Sequence, residues 1–230
     1  MELSPRLKCV YEMLGEGACV IDVGCDHGYL PAKLLSDGKY SRAVASDIAP
    51  GPLGSAKENI GAAGVADRCS FCLTDGLSGI EPPRGDFAVS VCGMGGEMIC
   101  SILSSNEEII KACRLFVLQP MSKEERLRAW LWENGFHIVA ERAAAEGDRL
   151  YVVLAAVFCK EREEYTAAEC YLGKREARVD SAEMTRRLEK FHAKHRNLRH
   201  EIAKSGGDAT LHDELVRAAE REIMYIREKK

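Results

Sequence analysis

The chain has 230 residues, of which 46% are hydrophobic and 30% charged, and its formal net charge is −4. This composition is typical of a globular protein and excludes wholesale disorder. The length predicts one domain with an appendage or two small domains. The longest apolar runs, 87–92 and 151–159, are far shorter than the ~20 residues that a membrane-spanning helix needs, so no such helix is predicted.

The N-terminus and the cysteines favour a cytoplasmic protein. Residues 1–6 read Met-Glu-Leu-Ser-Pro-Arg, with an acid where a signal peptide has its basic region. Of the ten cysteines, Cys19, Cys92, Cys100 and Cys159 lie inside apolar runs, where reduced buried thiols are expected rather than disulfides. We therefore expect a cytoplasmic location.

Short apolar runs alternate with helical patterns over residues 1–159, which is typical of a largely parallel sheet covered by helices. Ser4 and Pro5 predict the start of a first helix. Strands are then predicted at 19–23, 43–47, 69–74, 87–92 and 115–119. A helix at about 124–133 ends at Gly135, and two further strands, 137–142 and 149–158, flank a Gly147-Asp148 turn, which predicts an antiparallel pair.

The last third of the chain is helical in pattern and different in charge. Residues 1–159 carry a net charge of −6, whereas residues 160–230 carry +2. A helix over about 163–178 is predicted first, and a 205–208 break then separates two helices that form an antiparallel coiled-coil hairpin. The apolar seam of this hairpin consists of Met184, Leu188, Phe191, His195, Leu198 and Ile202 on one helix and Leu211, Leu215, Ala219, Ile223 and Ile226 on the other. We predict a catalytic domain at 1–159 and a helical domain at 160–230.

The end of the first predicted strand points to a nucleoside cofactor. Asp22 is followed by Gly24, Asp26 and Gly28, which form a small-residue turn where the backbone can approach a ligand closely. This spacing departs from the Gly-x-Gly-x-x-Gly of dinucleotide-binding folds. It fits the Asp/Glu-x-Gly-x-Gly-x-Gly opening of methyltransferases, with Asp26 in place of the middle glycine, and therefore favours S-adenosylmethionine over a nicotinamide cofactor.

Two later acids also follow predicted strands. Asp47 ends the second strand, where its carboxylate can accept hydrogen bonds from ribose hydroxyls, and Asp75-Gly76 follows the third, where an adenine amino group would lie. Each acid taken singly could equally be a helix cap. Three acids at three strand ends favour cofactor binding by Asp22, Gly24, Asp26, Asp47, Asp75, Gly76 and Gly93.

The fourth predicted strand leads into Gly93-Met94-Gly95-Gly96, beside the position expected for methyl transfer. Enzymes that methylate exocyclic amines usually carry Asn/Asp/Ser-Pro-Pro-Tyr/Phe there, and this chain does not. Flexible glycines with Met94 could admit a flat base edge-on, and the alternative is an ordinary helix start. We assign Gly93 and Met94 to the transfer site and Gly95 to substrate binding.

Several of these segments resemble one family, the bacterial tRNA (adenine-22 N1)-methyltransferases, or TrmK family. The matching segments are Leu3-Ser4-x-Arg6-Leu7, Asp22-x-Gly24-x-Asp26-His27-x-Tyr29-Leu30-Pro31, Asp75-Gly76-Leu77, Gly93-Met94-Gly95-Gly96 and Leu118-Gln119-Pro120. They occur in the family's order, and the helical appendage is similar to the family's coiled-coil domain. The resemblance implies a class I, Rossmann-like S-adenosylmethionine-dependent methyltransferase whose substrate is adenine N1 in tRNA.

Adenine N1 carries a lone pair, so positioning should dominate catalysis. Methylation leaves a cationic base, and Asp26 is the candidate to stabilise it or to take a proton from N6, unless it caps the following helix. His27 could hydrogen-bond substrate or cofactor, and Tyr29 could stack on a base, although structural roles are open for both. Gln119-Pro120 could read a base edge. Cys69-x-x-Cys72 lacks a second pair, and no metal site is predicted.

A basic helix completes the predicted site. Arg187, Lys190 and Lys194 are the residues expected to contact phosphates, although a solvated coiled-coil face would have a similar composition. The predicted partner is tRNA, with no membrane, and the chain is expected to be a monomer. Two alternatives stay open: methylation of a small molecule or protein, with the hairpin serving dimerisation, and a non-catalytic binding module, which the three acids disfavour.

Overall fold

The computed structural model describes residues 2–229. Their strands form one sheet in the order β3-β2-β1-β4-β5-β7-β6. The strands are β1 (Gly17–Val23), β2 (Tyr40–Asp47), β3 (Cys69–Leu73), β4 (Phe87–Gly95), β5 (Leu115–Ser122), β6 (Phe136–Glu146) and β7 (Arg149–Phe158). The first five run parallel, and β7 is antiparallel to both β5 and β6. The predicted α/β class and the antiparallel pair are confirmed.

Helices cover the sheet and form the C-terminal appendage. They are α1 (Pro5–Leu14), α2 (Tyr29–Ser36), α3 (Pro50–Ala62), α4 (Gly96–Ser104), α5 (Glu107–Ala112), α6 (Glu124–Glu133), α7 (Ala167–Leu172), α8 (Ala182–Lys204) and α9 (Thr210–Glu228). Ser4 and Ser181 cap α1 and α8 through their side chains, as polar N-cap residues do. Within residues 2–229, no helix is both long and apolar enough to cross a lipid bilayer.

Hydrophobic residues cover both faces of the sheet, as parallel strands require. Along β1, Ile21 and Val23 pack in one cluster with α4 and α6, whereas Val20 packs in the other with α1, α2 and α3. Since both faces are buried, polar side chains on these strands gather at the carboxyl edge of the sheet, where ligands bind in open α/β folds.

A buried ion pair joins α6 to β6. The Arg128 guanidinium donates two 2.9 Å hydrogen bonds to the Glu141 carboxylate, and both side chains are fully buried. Gly173 lies against this carboxylate with φ +78°, and a Cβ there would collide with it. Gly173 also ends α7, so the helix predicted over about 163–178 is wrong in extent and covers only Ala167–Leu172.

The appendage is an antiparallel pair of helices, because Glu189 of α8 pairs with Arg227 of α9 while Arg199 pairs with Asp213. Near the sheet the predicted seam is confirmed: Met184, Leu188, Leu215, Ala219, Ile223 and Ile226 are buried. At the other end it is wrong, because Leu198 is 37% exposed and Leu211 is 41% exposed. The hairpin core therefore lies at the end that packs on the sheet.

Candidate active site

A cleft of about 810 Å³ opens at the carboxyl edge of the parallel strands. It gathers most of the predicted cofactor and transfer residues, although they are spread over the sequence. Those that line it are Asp22, Gly24, Asp26, His27, Tyr29, Asp47, Asp75, Gly76, Gly93 and Met94. The predicted substrate residues Gly95, Gln119, Pro120, Arg187, Lys190 and Lys194 do not belong to its lining.

Hydrogen bonds to a carbonyl of β2 hold the turn after β1. The backbone N–H groups of Gly24 and Cys25 each donate to the Ser46 carbonyl at 2.9 Å. Gly24 has φ +68°, and the Met94 side chain occupies the space that a Cβ would need. A side chain at this position would be strained by the positive φ and would have to displace the Met94 methyl group.

Asp47 holds the same turn through its side chain. Its Oδ2 accepts a 3.2 Å hydrogen bond from the Asp26 backbone N–H, and its Oδ1 accepts one of 3.0 Å from Ala49. Asp26 has φ +49°, and its side chain is 71% exposed. It does not cap α2, whose N-cap residue is Gly28 and which has no side-chain cap bond. The Asp26 carboxylate is thus exposed at the edge of the cleft.

Asp22 is the buried acid of the site. The Ser90 hydroxyl donates a 2.6 Å hydrogen bond to its Oδ1. Burial raises the pKa of Asp22 to about 7, the Ser90 bond opposes that rise, and the nearby Asp47 charge adds to it.

His27 and Tyr29 form an aromatic surface at the mouth of the cleft. Their rings stack with centroids 5.5 Å apart, and Tyr29 is 41% exposed. His27 Nε2 lies 3.8 Å from the Asp26 carboxylate. Such a surface suits the face of an unstacked base.

The glycine-rich segment after the predicted fourth strand is itself extended. β4 continues to Gly95 with register shifts after Cys92 and Met94, and α4 begins only at Gly96. Gly93, with φ +79°, lines the cleft, whereas Gly95 pairs with Ser122 of β5. The segment therefore presents Gly93 and Met94 to the cleft, whereas Gly95 does not line it.

Gln119 and Pro120 lie outside the lining of the cleft. Both are buried in β5. Gln119 Oε1 accepts hydrogen bonds from Arg6 Nη1 at 2.6 Å and from the Gly93 backbone N–H at 3.1 Å, while its Nε2 donates to the Pro120 carbonyl at 2.7 Å. Since both ends of the amide are used inside the protein, Gln119 orients Arg6 and Gly93 instead. Arg6 was assigned no role of its own from the sequence, although it lies in the Leu3-Ser4-x-Arg6-Leu7 segment that carries the resemblance.

The predicted phosphate contacts on α8 are only partly available. Arg187 is 7% exposed and pairs with Glu124 at the start of α6. Burial opposes ionisation of Glu124, but Arg187 and Arg128 hold its pKa below the usual value. Arg187 therefore links the hairpin to α6 on the sheet. The expectation that it is free for phosphate is wrong. Lys190 and Lys194 are exposed, and Lys190 Nζ donates to the Asp148 carbonyl at 2.7 Å.

Within residues 2–229, no group of three or more His, Cys, Asp or Glu residues is arranged to hold a metal ion. The charged side chains that line the cleft are four carboxylates and one guanidinium, together with His27.

Residues 3–154 match a family model described as a methyltransferase domain. The chain belongs to this methyltransferase family. The methyltransferase is 33% identical over 156 residues to the tRNA (adenine(22)-N(1))-methyltransferase of Bacillus subtilis, a match that spans 68% of this chain and 65% of that relative. The resemblance to the TrmK family is thereby confirmed.

Solved structures extend the likeness to the appendage. A Streptococcus pneumoniae protein solved in complex with S-adenosyl-L-methionine superposes with a TM-score of 0.80 at 27% identity, covering 96% of this methyltransferase and 100% of that chain. The Bacillus subtilis m1A22 tRNA methyltransferase TrmK superposes with a TM-score of 0.73 at 25% identity, covering 99% and 98%. The α8–α9 hairpin therefore belongs to the shared fold.

Proposed function

We propose that this protein transfers the methyl group of S-adenosylmethionine to N1 of the adenine at position 22 of a tRNA. The observation that carries the proposal is the cleft itself, where acids at three successive strand ends meet the Gly24 turn and Gly93. The likeness to a structure solved with S-adenosyl-L-methionine over 96% of the chain supports it.

The cleft residues fit this cofactor. Asp47 accepts the Asp26 and Ala49 N–H groups and, with two carboxylate oxygens, has acceptor capacity left for ribose hydroxyls. Asp75 is exposed in the cleft at the end of β3 and can accept from the adenine amino group. Gly24 leaves the turn without a side chain, and the Met94 side chain lies directly beside it.

The cofactor supplies an electrophilic methyl group bonded to a sulfonium. Adenine N1 attacks that methyl carbon with its lone pair, the carbon–sulfur bond breaks, and the base becomes cationic while the sulfur becomes neutral. The protein orients the base rather than deprotonating N1. The exposed Asp26 carboxylate stabilises the developing positive charge or accepts a proton from N6, and His27 with Tyr29 supplies a stacking surface.

The appendage, residues 160–230, serves as the tRNA-binding domain in this proposal. Lys190 and Lys194 lie on the exposed side of α8, and Lys190 bonds the β6–β7 turn at Asp148. Glu146, two residues before Asp148, pairs with Arg6, and Arg6 lines the cleft. The basic face is thus close to the site of transfer, and we propose a monomer that acts in the cytoplasm, where tRNA is found.

The test is methylation of unmodified tRNA transcripts by the purified protein with labelled S-adenosylmethionine, followed by identification of the nucleoside. A transcript with guanine in place of adenine 22 is the matched control. We expect 1-methyladenosine in the first transcript and no label in the second. Equal labelling of both, or labelling only of small molecules or proteins, would refute the proposed substrate.

A further inference from the structure

Arg6 is the one lysine or arginine among the cleft-lining residues of the described part of the chain, residues 2–229. The other charged side chains of the lining are the acids Asp22, Asp26, Asp47 and Asp75, together with His27, a weak base. A guanidinium in an otherwise acidic cleft marks the place where an anionic group of the ligand would bind.

The guanidinium is held from two sides. Its Nη1 donates to the fully buried Gln119 at 2.6 Å, and its Nε lies 3.4 Å from the Glu146 carboxylate. The Arg6 side chain is 20% exposed, and its Nη1 lies 3.6 Å from the position of a Cβ on Gly93. Within residues 2–229, Arg6 Nη2 has no hydrogen-bond partner. The guanidinium is therefore fixed beside the end of β4, and its Nη2 can still donate a hydrogen bond to a ligand.

The charges of S-adenosylmethionine match this arrangement. The molecule carries a sulfonium, an ammonium and a single carboxylate, so its cationic groups suit the acids and its carboxylate requires a donor. Asp75 and Asp47 follow β3 and β2, whereas Gly93 lies on β4, on the other side of β1 in the sheet. If the adenosine lies over β3 and β2, the methionine end points toward β4 and Arg6.

We propose that Arg6 binds the methionine carboxylate of S-adenosylmethionine, and that Gln119 is the positioning residue that orients the guanidinium. This inference rests on the proposed function, whose cofactor it takes as given. It places the anion-binding end of the cofactor site on α1, a helix outside the strand-end motifs.

Calorimetry with S-adenosylmethionine and with decarboxylated S-adenosylmethionine, which lacks only the carboxylate, tests the proposal. We expect Arg6→Ala to weaken binding of S-adenosylmethionine about 10- to 100-fold, the effect of losing a hydrogen bond between charged groups. Binding of the decarboxylated analogue should change less than about threefold. Gln119→Leu should produce a smaller loss with the same dependence on the carboxylate. Arg84→Ala, which removes an exposed arginine outside the cleft, is the matched control.

Equal weakening for the two ligands would overturn the proposal, because Arg6 would then support the cleft without touching the carboxylate. Unchanged cofactor affinity with weaker tRNA binding would also overturn it, in favour of a phosphate contact. If Arg6→Ala does not fold, Arg6→Lys keeps the charge without the fork and should show a partial, carboxylate-dependent loss. Wild-type protein that binds the cofactor but leaves tRNA unmethylated refutes the substrate alone, since the two-ligand comparison still decides the role of Arg6.

Discussion

The buried acid Asp22 makes the stability of the ligand-free protein depend on pH. Burial raises its pKa from an ordinary value of 3.8 to about 7. Between these values the folded state keeps a proton that the unfolded chain releases, so the free energy of unfolding decreases as pH rises. This difference in pKa corresponds to about 4 kcal/mol of the free energy of unfolding, which is lost between roughly pH 4 and pH 7. Asp22→Asn removes the titration and should remove this part of the pH dependence.

The assay is urea denaturation of the wild type and Asp22→Asn at pH 5 and pH 8. The variant should gain about 2.5 kcal/mol relative to the wild type between these values, because about two of the three pH units of the dependence lie above pH 5. Ser90→Ala should move the wild-type transition to higher pH, because the Ser90 bond favours the ionised carboxylate. Asp67→Asn, at an exposed acid, is the control. Parallel pH profiles for Asp22→Asn and the wild type would refute the reasoning.

Four further predictions concern the cofactor, the chemistry, the RNA and the stability of the fold. Asp47→Ala should weaken S-adenosylmethionine binding by about 1.5–3 kcal/mol, since it removes a charged acceptor; calorimetry that shows full affinity would exclude Asp47 from the site. Asp26→Asn should lower kcat with little change in cofactor affinity, whereas equal losses in both would mark a structural role. Lys190→Glu with Lys194→Glu should weaken tRNA binding and flatten its salt dependence by about 0.7 to 0.9 per lost phosphate contact, without change in the denaturation midpoint. Arg187→Ala should instead destabilise the fold by about 3 kcal/mol, as breaking a buried ion pair does; an unchanged midpoint would contradict the anchoring role.

The sequence predicted the sheet and the cofactor end of the cleft because both depend on local patterns. Apolar runs mark buried strands, and acids directly after them mark the carboxyl edge, so Asp22, Asp47 and Asp75 could be placed without a structure. The extent of β4 could not be predicted in this way, because Met94 and Gly95 continue the strand by pairing with β5, which is a contact between distant segments.

The predictions that were wrong depend on contacts between distant segments. Gln119 ends the predicted fifth strand as Asp47 ends the second, but its side-chain oxygen accepts a hydrogen bond from Arg6, which is 113 residues away. In the sequence, Arg187 cannot be distinguished from its basic neighbours, but in the folded protein it pairs with Glu124 of α6. The Arg128–Glu141 pair was not predicted at all, because neither residue has a local pattern that indicates burial.

The central claim is that this cleft methylates adenine N1 of tRNA. The most direct measurement is position-specific mapping of the modified nucleoside after incubation of unmodified tRNA with the protein and S-adenosylmethionine. We expect 1-methyladenosine at position 22, produced by the wild type and strongly reduced in Asp26→Asn, which should still bind the cofactor. Methylation at another atom or nucleotide, or none from a protein that binds both ligands, would contradict it.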